Sequence, residues 1–208
     1  MNTSGEPATS PATHSAATGA DAALAARLAA RDSAALREAI ALHAGALHRV
    51  AYRMTGDAHE AEDIVQEAML RLWDHAPNIA ARHPVGSEAA GALKLGGWLQ
   101  RVATNLAIDR LRRARRLSGG EFPDSEDDAP LADALIEANE RDLSARALIA
   151  ALPERQRAAI VLTYYEELPN AAAAEALDMN IKAFESLLLR ARTALRHAYA
   201  ARAEGGAL

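Results

Sequence analysis

Four stretches of this chain repeat apolar residues every three or four positions, and none alternates apolar with polar over a strand's length. Leu36, Ile40, Ala44, Leu47 and Ala51 form the first stripe, and Ala61, Ile64, Val65, Ala68 and Leu72 the second. Leu99, Val102, Ala103 and Leu106 form the third, and Ile181, Phe184, Leu188, Ala191 and Leu195 the fourth. A 3.6-residue period puts each set on one face of a helix, so the chain is bound to a helical fold. Abundant Ala, Leu, Arg and Glu reinforce this. Aromatic residues make up only 4%, too few to supply a strand-rich core.

Breakers divide the stripes. Asp32 is a predicted N-cap. Gly56-Asp57 closes one helix and opens the next, with Asp57 and Glu60 at capping-box spacing. That helix is predicted to end between Trp73 and Pro77. Residues 76–97 read as a long loop with a short helix within 88–95. Gly96-Gly97 releases a helix from Trp98 to about Arg116. Gly119-Gly120, Pro123 and Pro130 mark a linker. Pro153 opens a helix predicted to reach Tyr165, and Asn170 is the predicted N-cap of a short helix ending at Leu177. The turn at Asp178, Met179 and Asn180 precedes a last helix, Ile181 to about Arg202. The expected fold class is therefore all-α: two small helical domains, an N-terminal bundle and a C-terminal helix-turn-helix, joined by an acidic flexible linker. The expected division is a disordered tail (1–20, rich in Ser, Thr, Pro, Ala and Gly), a helical domain (21–117), the linker (118–140), the helix-turn-helix domain (141–202) and a tail (203–208).

The net charge of −5 conceals segregation. Trp98–Arg116 carries six Arg against one Asp, and Ile181–Arg202 five Lys/Arg against one Glu. Between them Glu121–Asp142 holds nine acids and one Arg. Local potential, not the sum, governs binding to a polyanion. The chain has no cysteine, which removes disulfides and thiolate metal sites. The seven histidines lack metal-site spacing, and there is no phosphate-binding glycine loop or nucleophile elbow. No catalytic residue, metal or cofactor is expected, and the chain is not expected to be an enzyme. The first residues lack a basic segment followed by an apolar one, and no run is long enough to span a bilayer, so a cytoplasmic location is expected.

Two constellations carry chemistry. A short helix, a three-residue turn and a longer helix form the helix-turn-helix pattern. On its last helix Lys182, Ser186, Leu189, Arg190, Thr193 and Arg196 oppose the apolar stripe. The N-terminal part of such a helix enters a major groove while basic residues grip phosphate. A helical hairpin with a solvated basic face is the equal competitor. In the Trp98 helix, Arg101, Asn105, Asp109, Arg112 and Arg116 share a stripe, with Arg110, Arg113 and Arg115 nearby. Cations suit a helix C-terminus, but five Arg in the seven residues from Arg110 to Arg116 exceed that need and favour bidentate phosphate contact. Glu62, Asp63, Gln66 and Glu67 read as a solvated or protein-contact face rather than an acid/base pair.

Together these segments resemble the extracytoplasmic-function (ECF) sigma factors of the sigma-70 family. Tyr52–Asp57, Ala61–Glu67 and Arg71–Trp73 resemble the family's polymerase-binding segment. Trp98-Leu99 and Ala103–Arg113 resemble its promoter-reading segment. Leu152–Arg157 and Leu188–Arg192 resemble the bounds of its C-terminal DNA-binding domain. The resemblance implies that Asp63, Gln66, Glu67 and Leu70 dock on the β′ clamp helices of core RNA polymerase, with the C-terminal domain at the β flap. It implies that Arg101, Asn105, Asp109, Arg110, Arg112, Arg113 and Arg116 read and help melt the −10 promoter element. Lys182, Ala183, Ser186, Leu189, Arg190 and Arg196 would read the −35 element as duplex. The acidic linker would thread toward the RNA exit path, and an anti-sigma factor is an expected partner. The chain departs from the family pattern in three places. The 76–97 loop has no aromatic residue, Asp178 stands where Gly is common, and Glu185 and Leu187 replace basic residues. Two other classes remain open: a sigma-like decoy that sequesters an anti-sigma factor, and a helix-turn-helix regulator that acts without polymerase.

Overall fold

A computed structural model describes residues 12–117 and 140–205. These residues form nine α-helices: α1 (Ala12–Ala29), α2 (Ser33–Thr55), α3 (Ala58–Arg82), α4 (Glu88–Ala92), α5 (Leu95–Leu117), α6 (Glu140–Ala150), α7 (Glu154–Ile160), α8 (Asn170–Ala176) and α9 (Ile181–Gly205). One π-helical turn, Val161–Tyr165, continues α7. No strand occurs among the described residues. The expected acidic linker lies outside them, apart from Glu140, the first residue of α6.

Two compact units are present. Among the described residues the first takes 12–42 together with Met69–Leu95, and the second takes His43–Ala68 together with 96–117 and 140–205.

In the first unit α1 packs on α4. Its core holds Leu24, Leu28, Ala35, Met69, Leu72, Ile79 and Ala90. Helix α1 reaches back to Ala12, into the segment whose composition predicts a tail, because its alanines are the strongest helix formers. Asp32 caps α2 as predicted, accepting from the Ala34 amide at 2.8 Å. Helix α3 differs from expectation: it runs through Pro77 to Arg82 instead of stopping there. Proline cannot donate the hydrogen bond that the carbonyl four residues earlier needs. That carbonyl belongs to Trp73, and Arg31 Nη1 donates to it at 2.9 Å. The Arg31 guanidinium also lies 5.1 Å from the Trp73 ring centroid. A side chain 42 positions away thus supplies the donor that Pro77 lacks, and the expected loop shortens to the residues around α4. The side chain of Ser87 caps α4 through the Ala90 amide. Asp21 accepts from the Leu95 amide at 2.8 Å, placing an anion at the start of α5.

In the second unit Leu47, Val50, Met54, Ile64, Leu99 and Leu106 are buried, as are Leu162, Leu177 and Phe184. The Asp57 carboxylate accepts from the His59 and Glu60 amides at 2.8 and 3.0 Å. The reciprocal half of the predicted capping box is absent: the Asp57 amide donates to Thr55 Oγ1, and the Glu60 carboxylate accepts from Arg110.

Helices α6, α7 and α8 all pack on α9. Phe184, Leu188 and Ala191 face inward as predicted, joined by Leu187. Ile181, predicted to face inward, is 46% exposed. It opens α9, one turn ahead of Phe184, where the stripe has run past the neighbours that cover it. Pro153 and Pro169 are the cap residues of α7 and α8, one position earlier than Asn170 was expected to act. Asn180 caps α9, its side-chain oxygen accepting from the Ala183 amide at 2.9 Å.

Candidate nucleic-acid interface

Helix α5 owes its orientation to its buried stripe of Leu99, Ala103, Leu106 and Ala107. Packing that face leaves the arginine-bearing side outward. Asp109, Arg113 and Arg116 are exposed and Arg112 is half-buried. At i, i+3, i+4 and i+7 they share one face of α5, where three guanidiniums outweigh the Asp109 carboxylate.

Arg110 departs from the expectation. It points back onto α3 and pairs with Glu60 at 2.7 Å and Asp63 at 3.4 Å. The hydrogen bond to Glu60, then that to Asp63, holds its guanidinium above the ordinary value. The pairing orients α5 on α3 and occupies a charge that the sequence assigns to DNA. Arg101 and Asn105, at the start of the stripe, are also engaged. Both contact the Asp178 carboxylate, Arg101 by an ion pair and Asn105 Nδ2 by a hydrogen bond of 3.3 Å. Arg115 pairs with Glu154 at 3.0 Å.

The helix-turn-helix lies across α8, the turn and the start of α9. Arg155 Nη2 donates to the Leu177 carbonyl at 2.7 Å and so satisfies the C-terminal end of α8. Asp178 takes the left-handed conformation, φ +54°, where the family commonly has Gly. Lys182, Glu185 and Ser186 are exposed, while Ala183, Leu189, Arg190 and Arg196 are half-buried. Asn170, Lys182, Glu185, Ser186 and Leu189 line one shallow cleft. A negative Glu185 between Lys182 and Ser186 favours a base-edge amino donor there over a phosphate.

On α3, Asp63, Gln66, Glu67 and Leu70 fall at i, i+3, i+4 and i+7 and share one helix face. Asp63 and Gln66 are exposed, and Leu70 is 52% exposed. An outward leucine within an acidic face suits a protein partner more than solvent.

Several structural residues were not singled out from the sequence. Arg53 pairs with Glu166 at 2.7 Å and lies 4.6 Å from the Tyr165 ring centroid. The π turn makes this possible. The Glu166 amide bonds back to the Val161 carbonyl, five residues earlier, and the extra residue brings both Tyr165 and Glu166 onto Arg53. Arg157 is only 9% exposed. It donates to the Met54 carbonyl at 2.6 Å and to the carbonyls of Ala150 and Leu152. Burial pulls its guanidinium below the ordinary value. The sequence signals here were membership of the Tyr52–Asp57 block for Arg53 and of the Leu152–Arg157 block for Arg157, and neither fixes a partner.

Residues 39–87 match the family description "Sigma-70 region 2", and residues 142–195 match "Sigma-70, region 4". These two modules in this order define a sigma-70-type initiation factor. The sequence is 36% identical over 167 residues to the ECF RNA polymerase sigma factor SigL of Mycobacterium tuberculosis, covering 79% of this chain and 89% of that one. It is 28% identical over 176 residues to SigW of Bacillus subtilis, covering 79% and 89%. The chain belongs to the ECF RNA polymerase sigma factors. Its fold is similar to that of CnrH, solved with the cytosolic domain of CnrY, with a TM-score of 0.60, 24% identity, and coverage of 88% of this chain and 98% of CnrH. The sigma factor RpoE of Bartonella quintana, solved with the anti-sigma factor NepR, gives a TM-score of 0.53 at 23% identity, covering 77% and 94%.

Proposed function

We propose that the chain directs core RNA polymerase to promoters through two separate DNA-reading surfaces. The observation that carries this reading is the outward strip Asp109, Arg112, Arg113 and Arg116 on α5, on the same chain as a capped helix-turn-helix. Arg112, Arg113 and Arg116 would hold the −10 strand by its phosphates, while Arg101, Asn105 and Asp109 would meet its bases and Arg110 would steady α5 from behind. Lys182, Ala183, Ser186 and Leu189 would enter the major groove at −35, with Arg190 and Arg196 on the flanking phosphates. Opening the duplex costs stacking energy, which capture of extruded bases offsets. The chain itself would break no bond; the polymerase performs the chemistry.

The acidic and apolar face of α3 (Asp63, Gln66, Glu67, Leu70) would dock on the β′ clamp helices, and the C-terminal module on the β flap. The proposed division follows: a −10-reading domain over 21–117, an acidic linker over 118–140 and a −35-reading domain over 141–202. Both matched family segments fall inside the two domains. An anti-sigma factor, the class of partner bound by the Bartonella quintana relative, is the proposed inhibitor. The proposed site of action is the cytoplasm; among the described residues no helix is long and apolar enough to cross a membrane.

Reconstitution tests the reading. The purified chain added to core polymerase should give promoter-dependent transcripts. A decoy, or a regulator that acts without polymerase, would give none.

A further inference from the structure

The start of α9 carries both signs of charge on one face. Lys182, Glu185, Ser186 and Leu189 fall at i, i+3, i+4 and i+7, and with Asn170 they line the shallow cleft. Glu185 is exposed, and among the described residues its carboxylate has no hydrogen bond and no ion pair. Lys182, one turn earlier, is exposed as well and does not close on it. The Ser186 hydroxyl donates to the Lys182 carbonyl at 3.0 Å, which leaves it only lone pairs to offer a ligand. The face therefore presents one strong donor beside two acceptors.

That pattern selects among bases. A carboxylate can only accept hydrogen bonds, and it repels phosphate. Against a DNA duplex it is satisfied by a base-edge amino group. Two bases present one in the major groove, cytosine at N4 and adenine at N6. Adenine sets its N7 acceptor beside the amino group, so a lone pair would face the second carboxylate oxygen. Cytosine has no acceptor at its major-groove edge. The guanine paired to that cytosine offers O6 and N7, both acceptors, which suit the Lys182 ammonium. Side chains three apart on a helix have Cβ atoms about 5–6 Å apart, so both can meet a single base pair.

We propose that Glu185 is a specificity-determining residue that reads a cytosine N4 amino group in the upstream promoter element, with Lys182 on the guanine of the same pair. The carboxylate lowers affinity for DNA at large, and only that pair compensates it. This rests on the reading of the helix-turn-helix as the −35 reader, and adds the base chosen at one position.

The test uses the full chain assembled with core polymerase. Fragments randomised over the upstream and downstream elements are selected for binding and sequenced. The parent holoenzyme should enrich a C·G pair at one upstream position about tenfold over the other pairs. Glu185→Ala should flatten that position to within about twofold and leave its neighbours unchanged. Glu185→Gln should move it toward adenine, because an amide donates to N7 and accepts from N6. A gained preference of that kind cannot come from a misfolded variant. Glu175→Gln, the same charge change at an exposed acid of α8 outside the cleft, should match the parent. A profile that Glu185→Ala leaves unaltered would overturn the role of Glu185. So would a parent profile with no upstream C·G preference, or a loss spread evenly over the upstream element. Where the downstream element is enriched and only the upstream outcome fails, the role of Glu185 falls alone. Where the parent enriches neither element, the sigma reading falls and takes this one with it.

Discussion

Arg31 and Pro77 show how a single residue decides an element's length. Pro77 leaves the Trp73 carbonyl without its helical donor, and Arg31 supplies one from another helix end. Replacing Arg31 by Ala should cost about 1 kcal/mol, from the hydrogen bond and the cation–π contact at an exposed site. In a Pro77→Ala background, which restores the amide, the same replacement should cost clearly less. Urea denaturation of the four proteins checks this, and equal costs in both backgrounds would refute the coupling. The caps at Asp32 and Asp57 act at the same scale. Backbone hydrogen bonds, from Ala34 and from Glu60 respectively, hold both carboxyls below the ordinary aspartate value. A depressed folded-state value means that the stabilisation is complete above the unfolded-state value and is lost as pH falls through the folded one. Asp57→Ala should therefore lower the melting temperature at neutral pH, because α3 loses its N-cap. The gap from the parent protein should close as the solution is acidified past the aspartate range, read as melting temperature against pH.

Helix α5 divides its arginines by direction. Arg110 turns back to Glu60 and Asp63, while Arg112, Arg113 and Arg116 stand outward or half-outward. Charge reversal at Arg112 and Arg113 should weaken −10 strand binding and reduce the slope of log affinity against log salt by about one to two. Arg110→Ala should leave that slope nearly unchanged and loosen α5 on α3. A salt titration of the three proteins separates a phosphate contact from an internal tie. If Arg110→Ala lowers the slope as much as the outward pair, Arg110 belongs with the DNA contacts after all. On α3, Leu70→Asp should lower affinity for core polymerase at least about tenfold, because it charges the apolar centre of the proposed docking face. It should leave oligonucleotide binding by the free chain intact, and fluorescence titration against both partners would expose the opposite outcome.

For the whole molecule, the helical class and the outline of the helices were legible in the chain itself, because apolar period, N-caps and glycine or proline breaks are local signals. Asp32 caps α2 and Asp57 caps α3 as the spacing indicates. The stripe of α9 packs as predicted at Phe184, Leu188 and Ala191. The arginine density of α5 was legible too, though Arg112, Arg113 and Arg116 of its cluster stand outward or half-outward while Arg110 and Arg115 are held by Glu60 and Glu154. The tertiary structure decided the rest, because each of those outcomes depends on a partner distant in sequence. It carried α3 through Pro77 by way of Arg31, and it used the Glu60 carboxylate on Arg110 instead of closing a capping box. It also made Asp178, Glu154 and Glu166 partners for the arginines of the other module. A pattern along the chain shows which residues carry charge, but only packing shows which of those charges meet each other and which are left to meet DNA.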